Sequence, residues 1–241
     1  MSAPAAPDHA LPVGRLPRLD ALRASWMLWM AAFHFCFDLA HFRLADWNFY
    51  ADPFWTLQRT LILSGFLFWA GLGQGLARQS ATAFWRRWAQ VAGAALLVSA
   101  GSALMFPRSW ISFGVLHAFA LLLPLARWLA RAPAPGLLAL AAAALLLPWG
   151  AQHPLFDSRW GHWTGLVTRK PVTEDFVPLL PWAAPLLLGL LAARLAGLRR
   201  WLAGAAPAAL VRLGRWPLGF YLLHQPLLIG GLLLWQRTMA P

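Results

Sequence analysis

Apolar positions run through the chain in stretches of about 20, the length a helix needs to cross a hydrocarbon layer about 30 Å thick. Seven stretches follow one another: residues 22–42, 54–76, 84–105, 110–130, 135–149, 176–195 and 216–235. The fifth is the shortest, but a Leu/Ala run of that kind cannot be left in water. The pattern predicts an all-α fold, a polytopic membrane bundle of about seven transmembrane helices. Pro178, Pro181 and Pro185 crowd the sixth stretch. Its first half is therefore not expected to be regular helix, an arrangement tolerated only where backbone is buried in protein or lines a cavity. Gly71 and Gly75 give the second stretch a small-xxx-small surface for close helix packing. Residues 199–215 form a basic, Trp- and Ala-containing connector, read as an interfacial helix.

Polar residues matter most where the apolar pattern should exclude them. The first stretch holds Arg23, His34, Asp38 and His41. At 100° per residue, Arg23 and His41 lie about 20° from His34 around the helix, and Asp38 about 40° away. Met27 and Met30 share this stripe, whereas Cys36 points away from it. Ionisable groups aligned on one face of a membrane helix predict a face turned to protein or to a wet cavity. The bland alternative is a polar seam that joins helices by hydrogen bonds of about 1 kcal/mol each. Asp38, at i+4, is placed to accept the His34 ring N–H, fixing its tautomer and raising its basicity as a general base requires.

Other ionisable residues fall at matching depths. His34 and His117 each lie about 10–12 Å below the outer end of their stretches, and His224 about 16 Å from Trp235. Glu174 and Asp175 stand at the outer entrance of the sixth stretch, and the Trp- and His-rich loop at 150–175 is expected above them as a lid or substrate platform. Singly, each has a structural reading: His117 and His224 as buried hydrogen-bonding histidines, Asp175 as the N-cap of the sixth helix, Arg23 as a membrane-edge anchor. No HxxxH or HExxH spacing supports a metal site, and none is expected.

Composition fits this picture: 60% of residues are hydrophobic and only 12% charged. A net charge of +12 would suggest nucleic acid for a soluble chain, but here the arginines flank apolar runs. Positive-inside bias accounts for them, so no nucleic-acid partner is expected. Seven crossings with the N-terminus in the cytoplasm divide the 20 basic residues about thirteen to seven in favour of the inside. One cysteine excludes an intrachain disulfide. Residues 1–17, rich in Pro and Ala, are read as a disordered tail ahead of a single transmembrane domain over 18–241. The first stretch lacks an A-x-A exit and carries His34 and Asp38, so it is read as an uncleaved span rather than a signal peptide.

Four segments together resemble a known family. RLDALRASWMLWMAAFHFCFDL at 18–39, FGVLH at 113–117, EDFVPLLPW at 174–182 and GFYLLHQP at 219–226 occur in the order of the heparan-alpha-glucosaminide N-acetyltransferase catalytic-domain family, here in a short bacterial form. The spacing of Arg23 and His34 also resembles the Arg-x10-His pattern of a wider superfamily of membrane acyltransferases. The resemblance implies transfer of an acetyl group from cytosolic acetyl-CoA, as co-substrate, to an amine or hydroxyl of a glycan or lipid-linked acceptor. It implies His34 as the catalytic histidine, which either deprotonates the acceptor or takes the acetyl group itself. In such an enzyme Arg23 would attract the CoA phosphates, His117, Asp175 and His224 would bind the acceptor or stabilise the oxyanion, and Glu174 and Gln225 would bind substrate. The setting implied is the bacterial inner membrane, multi-pass, and an oligomer is compatible with it. Longer lysosomal members carry a further luminal domain, so the glucosamine acceptor of the family name is not carried over.

Two other classes share the intramembrane charges: a small proton-coupled transporter or flippase using the same His/Asp stripe, and a non-catalytic assembly subunit. The absence of an internal repeat and the odd number of spans fit poorly with common transporter architectures. Binding of acetyl-CoA separates the enzyme from both.

Overall fold

Proline and capping residues set where the helices begin. The computed structural model describes residues 15–77 and 79–239. Most of the expected N-terminal tail, together with Arg78, lies outside the described residues. Helix α1 (Pro17–His41) opens on a proline whose missing N–H costs nothing there, with Asp20 in its first turn. Helix α2 (Pro53–Leu76) starts the same way, capped by Asp52, whose carboxylate accepts the Phe54 N–H at 2.8 Å. Ser80 caps α3 (Ala81–Met105) through the Ala83 N–H.

Next come α4 (Val115–Leu129), α5 (Ala134–Gly150) and, after a loop with two short 3-10 turns, α6 (Leu179–Ala192). Two small helices, α7 (Leu198–Leu202) and α8 (Ala208–Leu213), lead into α9 (Pro217–Met239). The fold is all-helical, with no strand among the described residues. Helices α3 and α9 are long and apolar enough to cross a membrane, and α4, α5 and α6 are shorter apolar helices.

The core sits around α6. Leu186, Leu187 and Leu190 are buried with Leu67 of α2, Leu122 and Ala126 of α4, and Leu137 and Ala141 of α5. Small residues let α2 and α6 touch through their backbones. A Cβ added to Gly71 would fall 1.9 Å from the Leu186 carbonyl oxygen, and one on Gly189 would fall 2.1 Å from that of Phe68. Gly75 meets the Ala193 Cβ just past the end of α6, so the small-xxx-small surface packs on α6 and its C-cap. Against this core α1 packs on α2, α8 and α9, while α3 lies outside, mainly on α4.

Two elements differ from the sequence expectation and a third follows it. The fourth apolar run becomes helix only at Val115, because residues 109–113 lie beside residues 173–177 instead. Glu174 N–H donates to Ser109 O, Val177 N–H to Phe113 O and the Thr173 hydroxyl to Trp110 O. The sixth run turns helical only at Leu179, with Leu180 at non-helical φ −104° and ψ 131°, as its prolines predict. The basic connector is not one interfacial helix. It breaks into α7 and α8, docked on the start of α1, where Arg18 donates to the carbonyls of Trp201 and Ala205 and stacks over Trp201.

Candidate active site

The polar stripe of α1 faces protein. Ala24, Met27 and Met30 are buried beneath it, and Asp38 is only 3% exposed. His34 is half-buried, and His41, one turn beyond Asp38, lies on the surface. Opposite them stands α9, which contributes His224 and Gln225. The His34 and His224 rings lie 5.1 Å apart, centroid to centroid. Gln225 Nε2 donates to Asp38 Oδ1 at 2.8 Å.

This arrangement corrects one expectation. Asp38 does not orient His34. Helix side chains lean toward the N-terminus, so the His34 ring reaches away from residue 38 toward His224, and the short Asp38 side chain meets Gln225 instead. Among the described residues the His34 ring makes no hydrogen bond, and its contacts are the rings of Phe33 and His224.

The hydrogen bonds of α9 fix the chemistry of its histidine. His224 Nδ1 lies 2.8 Å from Tyr221 O and 3.2 Å from Phe220 O, two carbonyls that can only accept, so Nδ1 carries the proton. Nε2 is then the lone-pair nitrogen. It is buried and has no partner among the described residues. The same holds for Asp38 Oδ2 and Gln225 Oε1. Three unpaired acceptor groups on α1 and α9 leave a site suited to receive N–H or O–H groups. A groove of about 500 Å³ reaches this cluster along α8 and α9, from Arg212 past Trp216 and Phe220 to His224 and Leu227.

The other sequence candidates fall elsewhere. His117 is fully engaged: Nδ1 accepts from Gly114 N–H at 3.2 Å, and Nε2 lies 3.0 Å from Ser99 Oγ. Ser99 spends its one proton on Ile111 O at 2.6 Å, so it accepts from His117 Nε2–H. Asp175 caps α4, not α6, accepting the Val115 N–H on Oδ2 at 2.7 Å. Burial pushes its carboxyl up to about 6 against the opposing pull of that N–H. Its electrostatic neighbour is Tyr221 of α9, which ties this knot to the histidine pair. Glu174 is exposed and accepts from the Ser109 hydroxyl. Arg23 sits near the N-terminal end of α1, paired with Asp20 at 3.3 Å and lying across Gly73 of α2.

Sequence reasoning passed over Ser99, Ser112, His162 and Tyr221. His162 is 2% exposed and shares a hydrogen bond with Ser112 Oγ at 3.2 Å. Burial, with Arg159 nearby, holds its ring below the usual histidine range. Asp157 is held below the usual carboxylate range by the Thr168 hydroxyl, which donates to it at 2.6 Å. Tyr221 left a trace inside GFYLLHQP, and His162 lies in the Trp- and His-rich loop at 150–175. Among the described residues no group of three or more His, Cys, Asp or Glu side chains is arranged to hold a metal ion.

Residues 15–226 match the family described as heparan-alpha-glucosaminide N-acetyltransferase, catalytic. The chain belongs to that family. The match begins just before α1 and ends on α9 one residue beyond Gln225, so it encloses the whole cluster. No curated protein and no solved structure matches the chain. Membership makes this protein a transferase of the acetyltransferase type. With its apolar helices, it also points to association with a membrane.

Proposed function

We propose that this protein is an integral-membrane acyltransferase of the bacterial inner membrane. It moves an acetyl group from acetyl-CoA to an amine or hydroxyl of a glycan or lipid-linked envelope acceptor. The observation that carries the reading is the cluster of His34, Asp38, His224 and Gln225, with its three unpaired acceptor atoms between two helices. An acyl acceptor brings the missing N–H or O–H.

The donor enters from the inner side. Arg23 and Arg212 mark that end and attract the CoA phosphates, while the apolar groove takes the pantetheine arm up to the histidines. From Arg23 to His34 is about 16 Å along the helix axis, a length the arm can cover. His34, half-buried and without hydrogen bonds, is the histidine that meets the acetyl group. Asp38 and Gln225 hold the acceptor, and His117 and Asp175 fix the start of α4. The apolar runs are arranged as about seven spans with the N-terminus inside, in one domain over 18–241.

The purified chain is expected to bind acetyl-CoA and to transfer its acetyl group to envelope glycans or lipids, read as an added acetyl mass. His34→Ala should lower transfer by about a hundredfold or more while leaving the thermal melt unchanged. Normal turnover in that variant removes His34 from the chemistry. A proton-coupled transporter predicts no acetyl-CoA binding at all.

A further inference from the structure

We infer that His224 is the general base that takes the proton of the acceptor, with Asp38 and Gln225 as the groups that present the acceptor to it. The inference rests on the acyltransferase reading above and divides the work between the two histidines.

A base must offer a lone pair whose position is set before substrate arrives. His224 meets this requirement through its own helix. Its Nδ1–H is held by the carbonyls of Tyr221 and Phe220, its ring lies parallel to that of Phe220 within 2°, and its Nε2 lone pair is left buried and unpaired. The same two carbonyls stabilise the imidazolium formed when Nε2 accepts a proton, the part an orienting carboxylate plays for a catalytic histidine elsewhere. Nothing comparable holds His34, whose tautomer no hydrogen bond selects. Asp38 is anchored by one oxygen to Gln225, leaving Oδ2 and the Gln225 Oε1 free to receive further N–H or O–H groups of the same acceptor.

The acceptor N–H or O–H gives its proton to His224 Nε2 while its nitrogen or oxygen attacks the acetyl carbonyl carbon. His34 donates a hydrogen bond to the oxygen on which charge develops. The carbon–sulfur bond then breaks, and the departing CoA thiolate takes the proton from His224 Nε2–H. Both histidines return to their starting state, and the products are the acetylated acceptor and CoA thiol.

The test uses the full chain in phosphatidylethanolamine/phosphatidylglycerol vesicles, with radiolabelled acetyl-CoA and two acceptor probes, glucosamine for N–H and glucose for O–H. His224→Gln keeps a polar group of similar reach but no base. It should lower kcat by about a hundredfold and leave KM for acetyl-CoA within about twofold. His224→Ala should lose as much and regain activity with added imidazole. A His224→Gln enzyme within about threefold of wild-type kcat overturns the assignment. So does loss in both variants without imidazole rescue and with acetyl-CoA binding gone, because that marks a packing role. Wild-type protein that binds no acetyl-CoA and transfers to neither probe overturns the acyltransferase reading itself, a result distinct from either.

Discussion

Asp38 is buried, and its single side-chain hydrogen bond comes from a residue 187 positions away in the chain. No local pattern can announce such a pair. Helical periodicity placed Arg23, His34 and Asp38 on one face, and that much was legible because it depends only on 3.6 residues per turn. Which neighbour each side chain meets depends on the opposing helix. Hence the expected His34–Asp38 pair is replaced by His34–His224 and Asp38–Gln225. His117 illustrates the converse: its two engaged nitrogens follow from Ser99 and Gly114, and a satisfied ring looks the same in sequence as a reactive one. Asp175 makes stability depend on pH. Its folded-state carboxyl titrates near 6, above the ordinary carboxylate value near 4, so the folded state keeps a proton that the unfolded chain releases. Stability is therefore highest below about pH 4, falls as pH rises to about 6, and is flat beyond, as far as this group is concerned. Asp175→Asn, which can still accept the Val115 N–H, should remove that slope. Thermal melts in detergent between pH 4 and 7 measure it, and an unchanged slope in the variant contradicts the assignment.

Helices were legible where they begin on proline or a capping side chain and run apolar without interruption, as α1, α2 and α3 do. They were misjudged where apolar residues serve another purpose. Ile111 and Phe113 are as apolar as the helix they precede, but they belong to an extended segment beside residues 173–177. The glycine pair of α2 was readable as a packing surface, although its partner helix was not. Because Gly189 sits against the Phe68 carbonyl and the Leu72 N–H, backbone rather than a pliable side chain, nothing there can yield to a larger residue. Gly189→Ala should destabilise the bundle by roughly 1–3 kcal/mol through overpacking, whereas Gly93→Ala, in open space on α3, should cost nothing measurable. Detergent melts of the two variants compare them directly, and equal losses would refute the close α2–α6 packing.

For the molecule as a whole, arginine counting and the run of apolar segments predict opposite sides for the two ends. With Cys36 replaced by Ser, Arg15→Cys and Arg237→Cys can be probed by a membrane-impermeant maleimide in sealed cells. Labelling is expected at 237 alone, and labelling at 15 would reverse the orientation. Family membership was legible from four short segments because they are the parts that build the α1–α9 cluster and the capped start of α4.

The loop between α5 and α6 was expected above this cluster as a lid, and its bonding changes what it can do. Its far end is stitched to residues 109–115 by Glu174, Asp175, Val177 and Thr173. Its middle is knitted by His153 N–H to Leu166 O, by Asp157 to Thr168, and by His162 to Ser112. A flap hinged there would have to tear out most of these bonds on every turnover. The loop is therefore a braced segment rather than a hinged flap, and the open way to His224 is the groove along α8 and α9.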